Sequence, residues 1–288
     1  MTRHSFIPLA KPTFGPTEKK LVNQCLDTGW ISSIGNFVEI FGEKIAKFIG
    51  VKYVLPVVNG TAALHLALIA LGIKPEDEVI IPALTFVASA NTITYTGAKP
   101  VFVDIEPQTY NLDINQLEAK ITKKTKAIMT VDLYGHPVDF DKVKKICRQY
   151  NLKFISDSAE SFGSLYKGKP TGSQADIATF SFFGNEIITT GEGGMITTNN
   201  KKLYEIARFY RDQAKNIKIH PYYHPAIGFN YGLTNLQAAV GLGQLKQIKK
   251  LVAKKRQIAK KYNRLLQNIP GIITPFEADY AKSNYWMY

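Results

Sequence analysis

Apolar positions along this chain change period repeatedly, from every third or fourth residue to short unbroken runs and back. The helical period predicts helices over residues 17–27, 44–49, 61–71, 88–96, 114–119 and 140–150, with Gly29 and Gly72 placed to close two of them. Short runs rich in Val, Ile and aromatic residues predict strands over 53–58, 78–81, 100–103, 127–131 and 153–156. Two more strands, 177–181 and 194–197, read as a pair flanking a loop. A single helical pattern then runs from 233 to about 267, and 272–276 reads as a strand. Helices and strands that alternate in this way predict an α/β fold, a mixed and mostly parallel sheet between helices on both faces.

With 288 residues and 45% hydrophobic content, the chain can build one large core and part of a second. The expected division is a large domain over 1–245, followed by a connecting helix and the start of a small domain over 246–288. The apolar stretch 284–288 reads as the entry to a further strand with nothing after it to pair with, so the small domain is expected to be truncated. No apolar run approaches the roughly 18 residues that span a bilayer, and the first residues lack the apolar core of a secretory signal. A cytoplasmic location without membrane contact is expected.

The formal charge of +13 changes the picture little. Much of it falls on Lys246, Lys249, Lys250, Lys254, Lys255, Arg256, Lys260, Lys261 and Arg264, interleaved with Leu245, Ile248, Val252 and Leu265 at helical spacing. This is the pattern of a solvated helix face. No zinc-finger spacing or RNA-binding aromatic motif accompanies it, so no nucleic-acid partner is expected. Cys25 and Cys147 show neither metal nor redox spacing, and the five histidines fall in no zinc or triad pattern. His65 reads as a core or interface histidine. His136 lies in a turn, and His220 and His224 lie in a loop.

Four blocks carry candidate chemistry. Asn59-Gly60-Thr61 follows a buried strand and opens a helix, where unpaired N–H groups can receive a phosphate. Phe86 sits in the strand-to-helix segment 82–91 and offers an aromatic face. Asp157 ends a buried strand, with Glu160 three residues on; a carboxylate there suits a protonated ring nitrogen. The fourth block is 228–239, Gly-Phe-Asn-Tyr-Gly-Leu-Thr-Asn-Leu-Gln-Ala-Ala. Between the third and fourth, residues 180–195 read Phe-Ser-Phe-Phe-Gly-Asn-Glu-Ile-Ile-Thr-Thr-Gly-Glu-Gly-Gly-Met.

Together these blocks resemble the DegT/DnrJ/EryC1/StrS family of sugar aminotransferases over nearly the whole chain. The resemblance implies the fold type I (aspartate aminotransferase-like) architecture of pyridoxal phosphate (PLP) enzymes. It implies that Gly60, Thr61 and Ser181 hold the cofactor phosphate and that Phe86 stacks on the ring. Asp157 then pairs with the pyridine nitrogen, Glu160 lies near the ring, and Asn230 reaches the phosphate of a partner subunit in a homodimer. Where the family has arginine after the Asn-Tyr pair, this chain has Gly232. The largest departure is Glu186, which stands where the family carries the lysine that binds PLP as a Schiff base and then moves the proton. No lysine in the same loop replaces it.

The spacer before position 186 and Asp132 before Leu-Tyr-Gly are similar to the perosamine-forming branch of the family, which aminates C4 of a GDP-linked 4-keto-6-deoxy sugar with glutamate as donor. A UDP- or dTDP-linked keto sugar stays open. The expected function is therefore a nucleotide-sugar aminotransferase impaired or silenced by Glu186, holding pyridoxal or pyridoxamine phosphate noncovalently if at all. The alternatives are a pseudoenzyme or dimer partner that keeps the scaffold, and a lysine-less PLP sugar dehydratase.

Overall fold

The structure, a computed structural model, describes residue 6 and residues 8–288. Two helices, α1 (Pro16–Thr28) and α2 (Asn36–Ile49), precede the first strand, β1 (Tyr53–Val57). The chain then alternates through α3 (Gly60–Ala70), β2 (Glu78–Pro82), α4 (Val87–Tyr95), β3 (Lys99–Val103), α5 (Leu117–Lys120), β4 (Thr125–Val131), α6 (Phe140–Gln149) and β5 (Lys153–Asp157). Two short strands, β6 (Leu165–Tyr166) and β7 (Lys169–Pro170), lead to β8 (Ile177–Ser181) and β9 (Gly194–Thr198). Helices α7 (Lys201–Arg211) and α8 (Asn235–Leu266) follow, and β10 (Ala281–Lys282) is the last regular element.

The main sheet has the order β1-β9-β8-β5-β4-β2-β3. Strands β3, β2, β4, β5 and β8 run parallel, whereas β9 is antiparallel to both β8 and β1. Period-two alternation assigns side chains to the two faces. Val79 and Ile81 of β2, Ala127 and Met129 of β4, and Ile155 of β5 pack in one cluster with α3, while Ile80, Ile128 and Phe154 enter another with α6. Toward the other end, Phe180 and Met195 join α2 and α8 in a third. The mixed, mostly parallel sheet between helices is thus formed as the sequence predicts. Its parallel strands bring the carboxyl ends of β2, β4, β5 and β8 to one side, together with the helix starts that follow β1 and β2.

Four local expectations need correction. Helix α2 begins at Asn36, eight residues before the start predicted at 44, because Val38 and Phe41 extend its buried stripe. Helix α7 was absent from the pattern; Asn200 caps it, accepting hydrogen bonds from the backbone N–H groups of Lys202 and Leu203. Residues 272–276 form no strand: Ile273 is 88% exposed and the stretch pairs with no sheet edge. The 284–288 stretch is not a strand either, and it is not left unpacked. Asn284 is fully buried and donates to the carbonyls of Glu160 and Phe162, and the Trp286 indole N–H donates to the carbonyl of Asn185 at 2.9 Å. The two-stranded pairing of β6 with β7, extended by β10, was equally unforeseen.

Candidate functional site

The site is assembled where chain segments leave the carboxyl ends of the strands. After β1, Asn59 caps α3 by accepting from Ala62 N at 2.8 Å, which leaves the first N–H groups of the helix facing outward. A Cβ on Gly60 would come within 3.0 Å of Ser181 Cβ, and one on Gly194 within 2.4 Å of Asn59 C. The helix start and the end of β8 therefore approach closely only because both positions are glycine. Gly60 and Ser181, two of the three residues expected to hold the phosphate, are thus brought together, with Thr61 next along α3.

Asp157 ends β5 and is buried. Its Oδ2 accepts from the Ser89 hydroxyl at 2.8 Å and its Oδ1 from Ala159 N at 3.2 Å. Burial raises its pKa, and these two donors only partly oppose the rise. A buried carboxylate held by neutral donors alone is a place for a cationic N–H. Glu160 accepts from the backbone N–H of Tyr134, a residue at positive φ after β4. Desolvation carries the pKa of Glu160 up to about 8, against that hydrogen bond and with the help of Asp157 and Asp132. Asp132, fully buried, is raised to about 7 by the same cause although Ser161, Ser158 and the Val138 N–H all donate to it.

Glu186 completes the group. Its stem is partly exposed, but Oε2 is sealed from solvent and has no hydrogen-bond partner among the described residues. Burial raises its pKa well above the usual glutamate value, and Glu160 and Asp157 add to the rise. The Ser181 hydroxyl and the charge of Lys255 oppose it. Lys255 comes from the middle of α8, and its Nζ donates to the Trp286 carbonyl at 2.9 Å. Phe86 stands at the start of α4, 71% exposed, with an open ring face. Asn230 is exposed and its backbone is bridged to that of Asp212.

His65 and His136 are committed to other contacts. His65 is buried among Phe229, Tyr231 and Tyr95, and burial lowers its pKa. His136 bridges the Pro137 carbonyl and the Ala278 N–H, a structural tie. Sequence reasoning missed Ser89, Tyr134 and Lys255. Ser89 lies inside the predicted 82–91 segment, one turn after Phe86, and that spacing was the available signal.

The residues fit parts of PLP and not its covalent attachment. The helix start with Ser181 suits the phosphate, the cation-deficient Asp157 suits a ring N–H, and Phe86 leaves an aromatic face uncovered. A carboxylate at 186 cannot form the bond that an amine would.

A family model described as the DegT/DnrJ/EryC1/StrS aminotransferase family matches residues 12–288. GDP-perosamine synthase of Escherichia coli O157:H7 is 47% identical over 283 residues, which cover 98% of this chain and 77% of that protein. GDP-perosamine synthase of Caulobacter vibrioides is 48% identical over 283 residues, 98% of this chain and 76% of that one. Among solved structures, an aminotransferase from Psychrobacter cryohalolentis has a TM-score of 0.91 at 32% identity, covering 98% of this chain and 75% of the other. Fold type I and dependence on PLP go with this kinship, and the chain belongs to the DegT/DnrJ/EryC1/StrS family of sugar aminotransferases.

Proposed function

We propose that this chain holds pyridoxal or pyridoxamine phosphate without a covalent bond, and acts on a nucleotide-linked 4-keto-6-deoxy sugar far more slowly than a lysine-bearing relative. The observation that carries the reading is the Glu186 carboxyl, its Oε2 buried without a partner among the described residues and its charge coupled to Glu160 and Asp157. When bound, the cofactor supplies an electron sink for the carbon that gains or loses the amino group.

The chain's own residues do the rest. The N–H groups at the start of α3 and the Ser181 hydroxyl would receive the phosphate, and Phe86 would offer its face to the ring. Asp157, oriented by Ser89, would keep a proton on the ring nitrogen. Burial, with the charge of Glu160, raises the pKa of Glu186, which suits its carboxyl to exchange a proton at Oε2. It cannot capture an aldehyde covalently, which is the step an amine would add. GDP-perosamine synthase as the name of two relatives favours a GDP-linked sugar, and glutamate is the amino donor that the family resemblance implies.

The test is Glu186→Lys, assayed for glutamate-dependent amination of GDP-4-keto-6-deoxymannose. A gain of about 10²- to 10⁴-fold is expected, the usual worth of a positioned proton-transfer group. Equal activity of the two forms would overturn the reading of position 186. A lysine form that takes up cofactor and aminates no nucleotide sugar would overturn the substrate, and leave a scaffold protein as the better description.

A further inference from the structure

We propose that this site selects the amine form of the cofactor, pyridoxamine phosphate, with the Glu186 carboxylate as the counter-ion of the cofactor's 4′-ammonium. The inference rests on the cradle reading given above and goes beyond it by fixing which form the site takes.

The other charged groups near Glu186 already have partners. Asp157 is occupied by Ser89 and the Ala159 N–H, and Glu160 takes the Tyr134 N–H. Asp132 is satisfied by two serines and a backbone N–H. Lys255 gives its ammonium to the Trp286 carbonyl. Only Glu186 keeps a carboxylate oxygen that is shielded from water and lacks a donor among the described residues. Such an oxygen is costly to leave unmatched. What would match it is an N–H donor, and a cationic one would also offset the negative charge of Glu160 and Asp157.

The two cofactor forms differ at one group, and that group decides between them. An aldehyde presents oxygen lone pairs, which repel a carboxylate and need Glu186 protonated. An ammonium presents three N–H donors and a positive charge. The glutamate chain is also shorter than a lysine chain, as suits a hydrogen bond in place of a covalent one. Burial raises the pKa of Glu186 and Glu160 and Asp157 add to the rise, while the Ser181 hydroxyl and the charge of Lys255 oppose it. Pairing with an ammonium favours the ionised carboxylate, so binding of the amine form should release whatever proton Glu186 holds in the empty site.

Isothermal titration calorimetry on the intact chain tests this with two probes, pyridoxamine phosphate and pyridoxine phosphate, which differ only in amine against hydroxyl at C4′. The amine form should bind about 10- to 100-fold more tightly, the worth of a buried hydrogen bond to a charged group. Titrations in buffers of different ionisation enthalpy should show proton release for the amine form alone. In Glu186→Gln, checked for folding by its thermal melt, the two probes should bind alike and the proton release should vanish. Equal affinities in the unaltered chain would overturn the counter-ion proposal while leaving the cradle intact. A preference that survives in Glu186→Gln would assign it to another group, also overturning it. Failure of both probes to bind would instead refute the cradle itself.

Discussion

Glu160 and Asp132 hold protons in the folded chain at pH values where the unfolded chain has released them. Burial is the main cause for both, with Asp157 adding its charge; for Glu160 the Tyr134 N–H opposes the shift. A carboxyl raised in the folded state contributes stability that is complete below its unfolded pKa and is lost as the pH climbs through the folded one. For Glu160 that window runs from the usual glutamate value to about 8, and for Asp132 from the usual aspartate value to about 7. The melting temperature should therefore fall as the pH rises from about 5 to about 8, and Glu160→Gln should flatten that fall. Thermal denaturation by circular dichroism across this range checks both, and a melting temperature that rises with pH would contradict the assignment. Asp157 and Gly60 were legible as candidates in the sequence because one ends a strand and the other opens a helix. Ser89, Tyr134 and Lys255 were not, because they meet the site from segments far along the chain, and Tyr134 does so through a backbone N–H that any residue could supply.

Elements were legible where period and length agreed, as in β2, β4 and α8, and were misread where an apolar run had no sheet edge to join. Trp286 shows what such a run can do instead. Its ring is buried with Phe162, Phe182 and Ile187 in one cluster, and its indole N–H holds the carbonyl of Asn185, the residue before Glu186. Asn284, buried beside it, ties the same segment to Glu160 and Phe162. Trp286→Ala should destabilise the fold by about 3 kcal/mol, at the lower end for large aromatic truncations in a core. Urea denaturation measures it. A loss within about 0.5 kcal/mol, the range of ordinary surface changes, would show that this segment only rests on the loop.

At the scale of the molecule, one surface is left unexplained by the fold. Trp30 and Ile34, in the connection between α1 and α2, are 58% and 71% exposed and line a groove with Phe37, Tyr204, Arg208 and Arg211. That connection is not loose. The Asn235 side chain accepts from Phe37 N at 3.0 Å and donates to the Trp30 carbonyl at 2.7 Å, so the start of α8 fixes the apolar residues in an outward pose. Exposed aromatic and aliphatic side chains held rigidly are what an interface needs, since little ordering remains to oppose association. Asn230, exposed five residues before Asn235, stands on the same chain segment. We therefore expect a two-fold homodimer in which this segment serves the partner's cradle. Sedimentation velocity at micromolar concentration should give a dimer, and Trp30→Asp combined with Ile34→Asp should give a monomer of unchanged circular dichroism. These side chains are solvated in the single chain, so charging them should leave its fold intact while a desolvated interface could not accept the change. If the unaltered chain sediments as a monomer, Asn230 has no phosphate to reach and the site must work with the residues of one subunit. If the doubly charged variant stays dimeric, the interface lies elsewhere on the molecule and the groove beside Trp30 needs another occupant.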